Sequence, residues 1–581
     1  MIPALDIRHF LLALLLAPVV LSAQGIRILN GGHLITNHGN IAVKHHWVND
    51  GKFTANGGMV VFNGVTQKID GIKATAFYKM HVLTGSTTTI VSQGNTLRYL
   101  LKSDGTLYAN DHFTLLAGKD STALIDGSGS GSVLGRITMQ GYLPFGFGYK
   151  YLGSPFQSAT VNEMADDVDL NAAFPSVYRH EENQLSNGWI NYMYPDSLLT
   201  PFRGYVFQMG TVSAARIIDM NGVVNNGNFS LNLNNNNQVF TRGFHLVSNP
   251  YPSPLNWDIA AGWTKTNIDN AVYYFDADST GSDKYGGIYK TYVNGVSSDG
   301  YANNFIPAMQ AFFVHASDGT YPVSGILGVN NLARIISLVP PYRRLNDAER
   351  KVQLRLRAEF NGAGISDAAV IYFSNNGTEQ FDKALDALKL MNTSAQVPSL
   401  YSITPAKRKL SIQAIAEPTL STQIPLGIQT TQPGMVTISA AVISGMPIPF
   451  YYYLFDAATG IYQNLKQDSI YQISLPAGIH EQRLSIVFSR SPVQTRATGD
   501  PTGLNQFRVL GTGQNRRLFI RMSSGETASV RMVNTAGQVV FTRVYTQPGD
   551  YPLLLSLPKG IYQVACTISG QVITQKIFNG G

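Results

Sequence analysis

The segment Asp276-Ala277-Asp278-Ser279-Thr280-Gly281-Ser282-Asp283 places oxygen-bearing side chains at its positions 1, 3 and 5 and a glycine at 6. A calcium loop opens in this way, because glycine allows the sharp turn and Asp276, Asp278 and Thr280 would supply metal ligands. The bidentate Glu that completes such a loop is missing, since Gly287 stands at position 12. A polar hairpin tip after the apolar run 272–275 is therefore the expected reading, and apart from calcium at this candidate no cofactor is expected. Asp166, Asp167 and Asp169, with Glu181 and Glu182, offer carboxylates for acid–base work, but in stretches that read as polar loops. His45 and His46 are adjacent, so two rings on a strand would face opposite sides; one solvated and one packed histidine is expected, not a metal pair. The chain holds no H-E-x-x-H, no G-x-S-x-G and no P-loop, and its single cysteine, Cys566, can form no internal disulfide. No catalytic residue is assigned, and the chain is not expected to be an enzyme.

The elements that carry these residues read as all-β. Gly is frequent (55 of 581 residues) and charged residues are few (14%). Residues 24–135 alternate short apolar runs, such as 59–62, 77–82 and 113–116, with the turn dipeptides Asn30-Gly31, Asp50-Gly51, Asn56-Gly57, Asn63-Gly64, Asp70-Gly71, Asp104-Gly105 and Asp126-Gly127. Such pairs favour positive φ and tight reversal. A β-solenoid-like region is predicted here, each rung burying its neighbour's apolar face, with a compact sandwich as the alternative.

A duplicated unit follows. The strand Gly148-Tyr149-Lys150-Tyr151-Leu152-Gly153-Ser154-Pro155 realigns with Gly243-Phe244-His245-Leu246-Val247-Ser248-Asn249-Pro250. Each copy closes on a second strand, 201–207 in one and 307–314 in the other. The spacing of the prolines gives copy two an insertion of 11 residues. Copy 1 is placed at 136–239 and copy 2 at 240–339. A β-sandwich-like domain follows at 340–490, with one helix expected from Thr378 to Met391 because Phe381, Leu385 and Leu388 fall at i, i+4 and i+7. A Pro/Thr/Gly-containing linker occupies 491–503.

The last stretch, 504–581, predicts a small Ig-like β-sandwich: 529–533, 538–541 and 561–566 are short β runs separated by Ala536-Gly537-Gln538 and Leu557-Pro558-Lys559-Gly560. In order, Val530-Arg531-Met532-Val533-Asn534-Thr535-Ala536-Gly537-Gln538, Leu557-Pro558-Lys559-Gly560-Ile561-Tyr562 and Gln575-Lys576-Ile577 resemble the C-terminal sorting domain of type IX secretion substrates. Gly537, Gln538, Gly560, Tyr562 and Lys576 carry that likeness. The chain departs from the pattern in ending Asn579-Gly580-Gly581. The rung wording 51–64 and the phrases 249–252 and 306–313 also resemble β-rich surface proteins of type IX secreting bacteria.

At the other end, Arg8, the apolar run 10–20 and the small residues before Gln24 predict a signal peptide over 1–23, cut between Ala23 and Gln24. No other run of about 18 apolar residues exists, so no transmembrane helix is expected. The resemblance implies export through the periplasm to the medium or the outer cell surface, with the type IX machinery as partner and attachment to lipopolysaccharide as one fate. Net charge is +7, but 504–581 alone holds eight Lys/Arg against Glu526 and Asp550, so the rest is near neutral and a nucleic-acid partner is not expected. An adhesin or structural role, with a glycan or a host or cell-surface protein as partner, is the expected function; glycan binding or polysaccharide degradation is the alternative.

Overall fold

The computed structural model describes residues 22–23, 25–277, 283–336, 351–417, 421–444, 451–492, 506–510, 516–522, 525–553 and 557–579. The chain divides into two compact units, 1–494 and 495–581. Both are all-β, and no helix among the described residues is long and apolar enough to cross a membrane.

The first unit opens with a β-solenoid-like stack of about five turns. One parallel sheet runs Ile41–Val43, Val60–Phe62, Ala76–Val82, Asn95–Ser103, Phe113–Leu115 and Arg136–Leu143; the other runs Ile26–Ile28, Trp47–Asn49, Thr66–Asp70, Thr87–Ile90, Thr106–Tyr108 and Ser132–Leu134. Register stacks like on like. Trp47 lies over Ile69 and Ile69 over Ile90, while Val43 lies over Phe62 and Phe62 over Val82, all fully buried. Inward-facing amides satisfy the backbone where rungs turn. Gln67 donates to the carbonyls of Val43 and His45, and Asn49 donates to that of Ala74.

The turn glycines serve a different purpose from the one their dipeptides suggest. Gly31, Gly57 and Gly71 do have positive φ, but Gly51, Gly64 and Gly105 are not among the positive-φ glycines. Those are required by the stacking: a Cβ on Gly64 would stand 1.8 Å from the carbonyl oxygen of Lys44, and one on Gly51 2.4 Å from that of Gly32, one rung below.

The last rung, Arg136–Leu143, receives an antiparallel strand, Arg216–Val223, from the first copy of the duplicated unit. The corresponding pair in the second copy is Phe229–Asn235 with Val323–Val329. Phe229–Asn235 thus opens the second copy ahead of the expected boundary at 240, and the rung at 136 belongs to solenoid and copy alike.

The copies are related by a local pseudo-twofold axis. Tyr149–Leu152 pairs with Tyr205–Gln208, and Phe244–Ser248 with Ala311–His315, so that Leu152 faces Tyr205 as Val247 faces Phe312. Ahead of each second strand stands a buried non-glycine residue in the left-handed region, Phe202 (φ 68) and Met309 (φ 64). Aligning these two residues makes Ala308 an extra turn residue, so the second copy's insertion is one longer than the proline spacing gives. Gly153 N–H donates to the Met309 carbonyl at 2.9 Å, and Ser248 N–H to that of Phe202 at 3.0 Å. Bridges join Leu152 to Gln310 and Val247 to Arg203. At the axis there is no room: a Cβ on Gly153 would lie 2.1 Å from that of its counterpart Ser248.

The described residues between 351 and 492 form a large mixed sheet folded round its own core of Leu354, Leu356, Ile424, Leu426, Ile486 and Phe488. This region also shares a second core with copy two, where Tyr273 and Phe313 meet Val370, Tyr372, Leu410 and Ile412. The helix expected from Thr378 to Met391 does not form. Phe381, Leu385 and Leu388 do reach one core, but from a turn followed by the short strand Ala387–Leu388, which pairs with Leu410–Ile412. Asp386 decides this, because its carboxylate accepts from the Asp382 and Ala414 N–H groups at 2.7 and 2.6 Å and so fixes a turn in place of a helix.

The second unit is a seven-stranded sandwich among the described residues. Gln506–Leu510, Arg517–Arg521 and Gly549–Pro552 form one sheet, and Ala528–Asn534, Val539–Tyr545, Gly560–Ile568 and Gln571–Asn579 the other. Leu518, Ile520, Val530, Met532, Val564 and Cys566 fill its core.

Leu152 belongs to the core that the solenoid shares with copy one, and Val247 to the core of copy two, both buried. Leu152→Ala is expected to cost about 2–4 kcal/mol in urea unfolding, with Val247→Ala destabilising in the same sense. Because the copies interlock, both variants should shift one shared transition. Two separate transitions would contradict the interlocking of the copies.

Candidate functional site

Asp276 is the penultimate residue of the strand Val272–Ala277, which forms a hairpin with Gly287–Val293. Its carboxylate is held by Lys290 at 2.5 Å, and Lys290 also lies 3.5 Å from Asp299. Burial works against the Lys290 ammonium, but the charges of Asp276 and Asp299 outweigh it and raise its proton affinity above the ordinary lysine value. Asp278 and Thr280 lie outside the described residues. Among the described residues no group of three His, Cys, Asp or Glu could hold a metal ion.

The carboxylates of the first copy do not converge. Asp167 is 3.9 Å from Arg216, and burial, then the charge of Asp166, pushes it up to about 6. Asp169 caps Asn171 N–H at 2.9 Å. Glu181 lies 3.6 Å from both Arg179 and Arg203, whereas Glu182 is buried and takes two bonds from Asn236. His45 and His46 are both exposed, not one of each, and His46 Nδ1 accepts from Lys68 N–H at 3.2 Å. Both lie in the turn between the strands Ile41–Val43 and Trp47–Asn49, so the alternation of a strand does not apply to them.

The terminal motif residues sit at well-defined places in the second unit. Gly537 (φ 78) makes the turn that Asn534 braces: its side-chain oxygen accepts from the N–H groups of Ala536 and Gln538, and its amide donates to Gln538 Oε1 at 2.9 Å. Gly560 starts the strand on which Tyr562 is buried, with its hydroxyl bonded to the Pro558 carbonyl at 2.8 Å. Lys576 is exposed on the last strand, opposite Gln563. Asn579 is no loose tail, since Arg516 donates to it and Asn579 itself donates to the Leu557 carbonyl. Burial pushes the Cys566 thiol up to about 11, which keeps it protonated and inert. At the other end, Ala23 pairs with Val43, while Gln24 and residues 1–21 lie outside the described residues.

Two features were not evident from motifs. One is a cavity of about 520 Å³ where the solenoid meets the interlocked copies, floored by Met139, Leu152, Ile218 and Met309, with Gln140 and Gln310 on it. The other is an exposed aromatic cluster. Phe174 (59% exposed) and Tyr285 (44% exposed) have ring centres 5.6 Å apart, Tyr149 and Tyr178 pack behind them, and Lys284 Nζ is 4.9 Å from the Tyr285 ring. Tertiary folding alone assembles it, from residues more than a hundred positions apart.

A family model described as a domain of unknown function, DUF8693, matches residues 36–488. The chain belongs to that family. The match covers the solenoid from residue 36 onward, both copies and nearly all of the large mixed sheet, and ends before the C-terminal unit. No curated protein matches. Among solved structures, a β-glucuronidase from Ruminococcus gnavus is 10% identical, with 76% of this chain and 44% of that one covered and a TM-score of 0.11. The chain thus spans under half the length of that enzyme. A biofilm-associated protein BSP domain is also 10% identical, with 76% and 92% covered and a TM-score of 0.17.

With Asp276 paired to Lys290, calcium addition is expected to leave the melting temperature unchanged, and Asp276→Asn to shift stability by no more than about 1 kcal/mol, as for an exposed ion pair. A calcium-dependent rise in Tm, abolished in that variant, would reverse the reading.

Proposed function

We propose that this DUF8693 member is a secreted or cell-surface, non-enzymatic β protein with an adhesive or structural role, exported by the type IX machinery through residues 504–581. The observation that carries the proposal is the C-terminal unit: a separate sandwich whose Asn534–Gln538 turn, Gly560–Ile568 strand and Lys576-bearing last strand hold the motif residues in the order of the sorting domains they resemble. After export the rest of the chain is released or attached to surface lipopolysaccharide. A long stacked scaffold bearing an interlocked pair suits display of a binding surface more than turnover. In a type IX secreting host, deleting 504–581 is expected to trap the remaining chain in the periplasm. Recovery of the truncated chain from the medium would sink the proposal.

Glycan binding is the second reading, favoured by the open rings of Phe174 and Tyr285 beside Lys284, since exposed aromatic faces contribute contact area at little entropic cost. On a glycan array, Phe174→Ala with Tyr285→Ala is expected to remove any signal given by the full chain; an unchanged signal would place binding elsewhere.

A further inference from the structure

A second cavity, of about 680 Å³, opens in the second copy between Trp257, Trp263, the Asn294-Gly295 turn and Lys351. Its walls come from separate places in the chain. Trp263 and Lys265 lie two residues apart on the strand Trp263–Thr266 and so share a face. Asn294 and Gly295, both left-handed (φ 48 and 79), turn the chain from Gly287–Val293 into Val296–Ser297. Lys351 precedes the strand Gln353–Phe360 of the large sheet.

The polar groups in this cavity are arranged around positive charge. Lys265 Nζ stands 3.6 Å from the centre of the Trp257 ring and donates to the Trp257 carbonyl (3.1 Å) and to Asn270 Oδ1 (2.9 Å). An ammonium has three N–H donors, and these two bonds engage two of them. Lys351 Nζ donates to the Asn294 carbonyl and stands 5.1 Å from the Tyr372 ring. The one acid among the described residues of the wall, Asp258, already receives the Tyr292 hydroxyl at 2.5 Å. Among the described residues, two amines therefore face a cavity with a single, already engaged carboxylate. Burial lowers the proton affinity of both, Lys265 to about 7 and Lys351 in the same direction, with the charge of Asp258 opposing. A desolvated amine in this state gains most from a bound anion, which restores the missing countercharge. The volume lies within the range of small-molecule sites.

We propose that this cavity binds a small organic anion of about sugar size, bearing a carboxylate or sulfate that Lys265 and Lys351 contact. The site shares no residue with the exposed aromatic cluster and does not depend on the export route.

The test is calorimetric titration of the full chain at low salt with glucuronate, glucose 6-sulfate and glucose, repeated on Lys351→Gln and Lys265→Gln. At least one of the two acidic sugars is expected to bind, with glucose about tenfold or more weaker, and Lys351→Gln to lose about tenfold in affinity, the worth of a charge-assisted hydrogen bond. Whether carboxylate or sulfate is preferred identifies the source of the charge. Lys351→Gln carries the test if Lys265→Gln, which loses two internal bonds, fails to fold. Equal binding of glucose and glucuronate, no binding of either anion at millimolar concentration, or unchanged affinity in Lys351→Gln would each overturn the proposal.

Discussion

The exchange of Phe202 and Met309 holds the first unit together. Each stands in a backbone conformation that costs a non-glycine residue about 1 kcal/mol or more, and each inserts into the core of the other copy: Phe202 among Val247, Tyr251 and Phe312, Met309 among Leu152, Tyr205 and Phe207. Strained conformations persist where the surroundings over-determine them. Here the reciprocal bonds from Gly153 and Ser248 do so. Neither copy has a complete core without the other, and since the first copy also packs on the solenoid and the second shares a core with the large sheet, the exchange ties together solenoid, copies and large sheet.

The solenoid depends on a separate constraint, the close approach of successive backbones. Strands lie about 4.8 Å apart in the hydrogen-bonding direction, and where the chain turns a corner the carbonyl below occupies the space a Cβ needs. Gly64 over Lys44 and Gly51 over Gly32 meet that condition. Buried amides such as Gln67 and Asn49 then satisfy corner carbonyls that no strand can reach.

Much of this was legible in the sequence. The Asn-Gly and Asp-Gly dipeptides mark the rung corners, although for a steric reason more often than for positive φ. The duplication was visible because its strand wording survives, Tyr151-Leu152-Gly153 against Leu246-Val247-Ser248. The left-handed residues were hidden, since Phe and Met advertise no such conformation. The segment after Thr378 showed a helical burial pattern without a helix, because periodicity records which residues reach a core and not the path of the backbone; Asp386, reading as an ordinary polar position, was the residue that mattered. The cavity of Lys265 and Lys351 could not be read at all. Its parts lie 86 residues apart, and the only local hint was that Trp257 and Trp263, two of four tryptophans, fall close together.

The antiparallel strand Arg216–Val223 also closes one of the two parallel sheets of the stack at one end. In that sheet a further parallel rung does not follow the reversed strand, whereas a change in rung number between Ile26 and Ile90 would leave it undisturbed. Deleting or duplicating one rung in that stretch leaves the junction with the interlocked pair intact and moves the far end of the stack by one strand spacing, about 4.8 Å. Rung number thus sets the length of the stack without altering that junction.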